Sequence, residues 1–170
     1  MTVRHATPDD SLLIADLTRA CWHGTVPADS SAHHEDASRV SSDLASGGGL
    51  LLDHAGETVA SLRWHDLGGV WEVCRLGVLP QHRAHGHATR LMQEVEAIAA
   101  SRGVSEIRLA VRSDASVKLV QFYQHLGYDI DPTLVYGHAN PHNPPPIVMR
   151  KELLHHWSAG RRTPQSGRNA

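Results

Sequence analysis

The sequence predicts a mixed α/β chain in which helices layer onto one sheet. Two observations carry this. Strand-like and helix-like segments follow one another in the order β-α-α-β-β-β-α-β-α-β-β, which packs as an α/β or α+β layered sheet. The apolar period also changes, from two along the middle strands to helical spacing after residue 87. The 170 residues, 41% of them hydrophobic, suit one core, since single domains commonly run to roughly 100–200 residues.

Met1–His5 is short and reads as a first strand. Thr7-Pro8-Asp9-Asp10 starts a helix, with a hydroxyl at the N-cap, proline in the first turn and acids at the positive end of the dipole. Leu13, Leu17, Ala20 and Cys21 give that helix one apolar face. After a break at 24–31, Ala32–Ala45 reads as a polar helix ended by Gly47-Gly48-Gly49. Leu50–Asp53, Thr58–His65 and Val70–Leu79 are strands separated by turns at 54–57 and 66–69, an antiparallel meander. Ala88, Leu91, Met92, Val95, Ile98 and Ala99 then recur at helical spacing until Gly103. Ser105–Arg112 is a strand, and Ala115–Leu126 a helix stopped by Gly127. Tyr128–Tyr136 and Ile147–Leu153 are further strands, separated by 138–146, where four prolines forbid regular structure. The reading is one domain over 1–153, with 154–170 a polar tail expected to be disordered.

Composition excludes several classes. Sixteen Lys and Arg against eighteen Asp and Glu leave no basic stripe for nucleic acid. The N-terminus has no apolar leader, and no apolar run approaches the ~18 residues of a membrane span. Cys21 and Cys74, the only two cysteines, are too few for a disulfide framework. A cytoplasmic setting is expected. The fourteen histidines show no HExxH motif and no Cys/His ribbon spacing. They read as solvated, with no metal expected; a His-rich metal-binding protein is the alternative from another class.

The chemistry concentrates between Val78 and Ala88, where a strand runs into a long amphipathic helix. A diphosphate needs converging backbone N–H donors, and a helix N-terminus supplies them with a favourable dipole end. Ala84, Gly86 and Ala88 are small where main chain must approach phosphate, and Arg83 adds a cation.

Arg83-Ala84-His85-Gly86-His87-Ala88 resembles the Arg/Gln-x-x-Gly-x-Gly/Ala signature of the GNAT (N-acetyltransferase) superfamily. The lead-in Val78-Leu79-Pro80 and the pair Leu91-Met92 match as well, and Phe122–Tyr128 is similar to the family's Tyr-x-x-x-Gly-Phe/Tyr segment. Two positions depart: Ala84 replaces a frequent glycine, and Ser116 replaces an asparagine that holds the pantetheine arm in relatives. The resemblance implies a mostly antiparallel sheet of about seven strands flanked by four helices, with one splayed pair of adjacent parallel strands. It implies acetyl-CoA as co-substrate in that splay. Pantetheine amides would meet Leu76, Gly77 and Val78, and Ser116 further on. The diphosphate would meet the amides of His85, Gly86, His87, Ala88 and Thr89, with Ala84 leaving room and Arg83 and Arg90 as outer contacts.

The same resemblance implies the catalytic groups. Tyr123 would protonate the leaving sulfur, since a phenol of unperturbed pKa near ~10 stays neutral at pH 7. Glu72 stands eleven residues before Arg83, where the histone-acetylating branch places its general base. Period two puts Glu72, Cys74, Leu76 and Val78 on one strand face; ordered water is the alternative base. Cys74 has no partner in sequence to make a thiolate, so direct transfer is preferred over an acyl-cysteine. The acceptor, a primary amine of open identity, would lie beside 21–43 and 138–146, where Asp29, Glu35, Asp36 and Asp43 would favour a cation. The expected function is N-acetyl transfer by a monomer or homodimer. A non-catalytic acetyl-CoA-binding module and transfer of a longer acyl group are the alternatives.

Overall fold

The computed structural model describes residues 1–26, 30–114, 117–139 and 144–153. Asp29, Ser116 and the tail 154–170 therefore lie outside the described residues. Seven strands form one sheet: β1 Thr2–His5, β2 Gly47–His54, β3 Glu57–Asp66, β4 Val70–Val78, β5 Glu106–Val111, β6 Asp129–Ile130 and β7 Ile147–Glu152. Their order is β1-β2-β3-β4-β5-β7-β6, and β4–β5 is the parallel pair in an otherwise antiparallel sheet. Four helices, α1 Ser11–Trp22, α2 Ala37–Ser46, α3 His87–Ser101 and α4 Val117–His125, complete the described chain. None is long and apolar enough to cross a membrane.

Period-two alternation splits the core into two layers. Leu50 and Leu52 of β2 face one cluster with Trp64, Trp71 and Val73, packed on Leu91, Met92, Val95 and Ala99 of α3 and Tyr123 of α4. Leu51, between them, faces the other cluster with Ile14, Leu17 and Cys21 of α1 and Val40 of α2. Trp64 and Trp71 stack at 4.7 Å in the first layer, and Arg102 lies 5.5 Å over the Trp71 ring.

Local chemistry moves several boundaries. Thr7 and Asp10 form a reciprocal capping box, but it closes a 3₁₀ turn over Pro8–Asp10, and α1 starts at Ser11. The buried face of α1 is Ser11, Ile14, Ala15, Leu17, Thr18 and Cys21, while Leu13 and Ala20 are exposed. The run Leu12-Leu13-Ile14 allows either face, and small polar Ser11 and Thr18 fit inside. The segment Ala32–Ala45 is not one helix. A 3₁₀ turn over Ser31–His34 ends at Glu35, and Asp36 caps α2 by accepting from the Arg39 N–H at 2.8 Å. Gly47-Gly48-Gly49 does not stop a helix and drift into a loop; it opens β2 against His65, Trp64 and Arg63. A Cβ at Gly48 would lie 2.3 Å from Trp64 Cζ2, so glycine is required there by close approach. The strand expected over 128–136 is only the two residues of β6.

The consequential departure is in β4. Ser61 pairs with Gly77 and Arg63 with Cys74, so one residue of β3 opposes two of β4. Arg75 takes up the extra residue at φ 53°. A bulge of this kind inverts the alternation downstream of it. Glu72, Cys74 and Gly77 lie on the other face, Gly77 against Trp22 and Cys21 of α1, whereas Leu76 and Val78 join Trp71 and Val73 under α3. The single face expected for Glu72, Cys74, Leu76 and Val78 is therefore corrected.

Candidate active site

β4 and β5 are in register only over Val70–Val73 and Glu106–Leu109. Beyond that, β5 stays on β7 as far as Val111, while β4 continues to Val78 with its β5-facing side unpaired. The wedge between them is a cavity of about 690 Å³, bordered by Val73–Val78, Leu109–Val111, Trp22, Arg83, Ala88 and Tyr123. That volume is in the range of small-molecule sites, roughly 300–1,000 Å³.

At one end of the wedge the chain builds an N–H cradle. Pro80–His82 makes a 3₁₀ turn, Ala84 sits at φ 61°, and Gly86 at φ 78° is the N-cap of α3. The first helical hydrogen bond runs from Arg90 N–H to Gly86 O at 2.9 Å. The N–H groups of His87, Ala88 and Thr89 precede it and have no acceptor within the helix. Such a terminus suits an anionic group, and it opens beside an unpaired strand and a cavity of this size.

The two arginines sit differently from one another. Arg83 donates from Nε to Val78 O at 3.2 Å and from its terminal nitrogen to Cys21 O at 2.7 Å. It therefore ties the end of β4 to the C-terminal end of α1, with donors left over at the cavity rim. Arg90 is exposed and pairs with Glu94 one turn on, at 3.2 Å.

The cradle also carries histidines, and the expectation that they are all solvated is corrected. His87 is 5% exposed, with the rings of His54 and His85 at 5.4 and 5.9 Å. Burial lowers its pKa, and His54, His85 and His82 push the same way. His82 lies 3.6 Å from Glu57. His54 comes from the far end of β2, so only the folded sheet brings it here. Among the described residues no group of three or more His, Cys, Asp or Glu is arranged to hold a metal.

Tyr123 lies on α4 with its body in the α3-side core and its ring bordering the wedge. It is 9% exposed, edge-on to Phe122 at 5.0 Å and to Tyr128 at 6.0 Å. Burial pushes its phenol above the ordinary tyrosine range, which keeps it protonated at neutral pH.

Glu72 is 2% exposed and borders neither cavity. Its carboxylate is covered by the loop after β6: His138 Nδ1 bonds Oε1, and Gly137 N–H donates to Oε2 at 3.4 Å. His138 stacks on His65 with centroids 3.9 Å apart. His65 Nε2 in turn lies 3.7 Å from Cys74 Sγ, a cross-strand partner that no sequence spacing reveals. Desolvation nevertheless pushes the Cys74 thiol up to about 12, which argues against a thiolate nucleophile.

A second cavity of about 510 Å³ adjoins the wedge. The two share Ser30, Cys74, Arg75, Ala110, Arg112, Asp114 and Tyr136. Asp43, His65 and His138 border the second cavity alone. Glu35, expected to favour a cationic acceptor, is instead 1% exposed. It pairs with the fully buried Arg63 at 3.1 Å and with Arg75 at 2.8 Å, and so holds the bulge in place. Arg63 also meets Asp43 at 3.2 Å. Asp43 is thus engaged in this network, and Asp36 is a helix cap.

Comparison with known proteins agrees with this geometry. The model of the acetyltransferase (GNAT) family matches residues 13–128. No curated protein matches the chain in sequence. Among solved structures, the PaiA N-acetyltransferase of Thermoplasma acidophilum in complex with coenzyme A superposes with a TM-score of 0.71 at 17% identity, covering 89% of this chain and 99% of that one. The ribosomal-protein-S18-alanine N-acetyltransferase of Escherichia coli gives 0.71 at 14% identity, with 89% and 93% coverage. An aminoglycoside 6'-N-acetyltransferase complexed with coenzyme A gives 0.68 at 21%, with 91% and 98%. At these identities the superpositions speak for the fold, and the family match covers well over half of the sequence. With a splayed parallel pair leading into a signature-bearing helix N-terminus, the chain belongs to the GNAT acetyltransferase family.

Proposed function

We propose that the protein transfers the acetyl group of acetyl-CoA directly to a primary amine. One observation carries the reading: the wedge between β4 and β5 runs from the free N–H groups of α3 to a second cavity, through shared walls at Cys74, Arg75 and Tyr136. A donor in the wedge and an acceptor in the second cavity could meet without a covalent enzyme intermediate. The N–H groups of His87, Ala88 and Thr89 would take the diphosphate, with Ala84 and Gly86 shaping the approach and Arg83 and His85 at its rim. The unpaired edge at Leu76, Gly77 and Val78 would take the pantetheine amides, and main-chain N–H of that edge would polarise the thioester carbonyl. Tyr123, held neutral by burial, would protonate the leaving sulfur.

Free-thiol release against a panel of amines tests this. Replacing Tyr123 by Phe should lower kcat by roughly 10²-fold or more, a usual contribution from one acid–base group, while acetyl-CoA binding by calorimetry is unchanged. Unchanged kcat would remove Tyr123 from the chemistry. No acetyl-CoA uptake at millimolar ligand would end the transferase reading.

A further inference from the structure

Glu72 and His138 have a geometry that the proposed transfer does not yet use. A carboxylate 2% exposed must be paired or bonded to be tolerated. Its partners come from a loop about 65 residues further on, which folds over it so that His138 Nδ1 meets Oε1 and Gly137 N–H meets Oε2. A ring nitrogen bonded to a carboxylate carries the proton, so in the neutral imidazole the lone pair is on Nε2. The ring is fixed further by stacking on His65 at 3.9 Å and by Tyr136 edge-on at 6.2 Å. Its side chain is 45% exposed, and it borders the second cavity. That cavity shares Cys74, Arg75 and Tyr136 with the wedge.

We infer that His138 is the general base of acetyl transfer and that Glu72 is its positioning residue. The inference rests on the transferase reading above. Nε2 takes one proton from the acceptor ammonium. The freed amine attacks the thioester carbon, the C–N bond forms and the C–S bond breaks. Sulfur takes the Tyr123 proton, and the second proton of the attacking nitrogen restores the phenol. His138 then returns its proton to solvent. Glu72 stabilises the imidazolium by charge and holds the ring in one tautomer, as a buried carboxylate does in other acid–base pairs. Among the described residues, the titratable and charged groups at the ring and its cavity are Glu72 and Cys74 on β4, His65 on β3, Arg39 and Asp43 on α2, Arg75 at the bulge, Arg112 and Asp114 after β5, and Tyr136 on its own loop.

The test compares two small amines with the full chain: ethylamine, almost wholly protonated at pH 7, and hydroxylamine, almost wholly neutral. A base is needed for the first and not for the second. The half-exposed loop position makes His138→Gln tolerable for folding; Glu72→Gln is the second variant. His138→Gln should lower kcat/KM for ethylamine by roughly 10²–10⁴-fold, leave hydroxylamine within a few-fold of wild type, and turn the ethylamine pH profile into a rise that continues with the fraction of free amine instead of levelling. Glu72→Gln should act in the same direction and less strongly. Equal losses with both amines would make the pair a structural pin and overturn the assignment. So would undiminished ethylamine transfer, or a wild type that binds acetyl-CoA and transfers to neither amine. Absence of acetyl-CoA uptake would instead remove the transferase reading, and this inference with it.

Discussion

Substituting Glu35 by Gln keeps the volume of a fully buried side chain and removes its charge. Arg63, 0% exposed, would then keep Asp43 at 3.2 Å as its charged partner among the described residues, and Arg75 would lose the facing carboxylate charge while keeping the Ser31 hydroxyl at 2.9 Å. Removing one partner of a buried ion pair typically costs about 3–5 kcal/mol, because the other charge is left uncompensated. Asp43 is 18% exposed and remains in place, so the lower end, about 3 kcal/mol, is expected. For a domain of this size 1 kcal/mol moves Tm by roughly 2–4 °C, which gives a fall of about 6–12 °C. Thermal unfolding followed by circular dichroism measures it. Glu94→Gln, which breaks the exposed helical pair with Arg90, is the control and should change stability by less than about 0.5 kcal/mol. Equal shifts for the two variants would refute the argument that Glu35 anchors the bulge.

Two further predictions concern the cradle and pH. Ala84 adopts φ 61°, where an L side chain costs roughly 1–2 kcal/mol, partly offset by the greater unfolded-state freedom of glycine. Ala84→Gly should therefore leave stability unchanged or raise it by up to about 1 kcal/mol in urea denaturation, without weakening acetyl-CoA binding; a clear loss would contradict the left-handed backbone. His65 and His87 both have lowered pKa values, mainly from burial, with His138 acting on His65 and His54 on His87. Below the ordinary histidine value of about 6.5 the unfolded chain binds more protons at these sites than the folded one, so stability rises with pH through this window and is lost as pH falls below it. Asp10, held at about 2 by Arg4, keeps its contribution until far lower pH. Tm should drop between pH 7 and pH 5, and the double change His65→Asn with His87→Asn should flatten that slope.

The sheet and the turn into α3 are legible in the sequence because each rests on neighbours along the chain. Leu91, Met92, Val95 and Ala99 declare the buried stripe of α3 by spacing alone, and Gly86 announces the turn before it. What could not be read depends on pairs far apart. Glu35 reads in sequence as an acid available to a cationic acceptor, because its partners, Arg63 and Arg75, lie 28 and 40 residues on. The extra residue at Arg75 has no local sign either: its backbone is left-handed without glycine or asparagine to announce it, and it inverted the inferred facing of Leu76 and Val78. Glu72 stands out by its spacing from Arg83, but the group that covers it, His138, belongs to a loop whose return to β4 is set by tertiary folding.

The splay of β4 from β5 has a consequence for colloidal behaviour. Unsatisfied strand edges attract other chains, and the outermost strands are short: four residues in β1 and two in β6. The longer stretch of open β backbone, from Cys74 to Val78, is instead recessed within the protein. The fold thus turns that open main chain toward a slot sized for a small molecule.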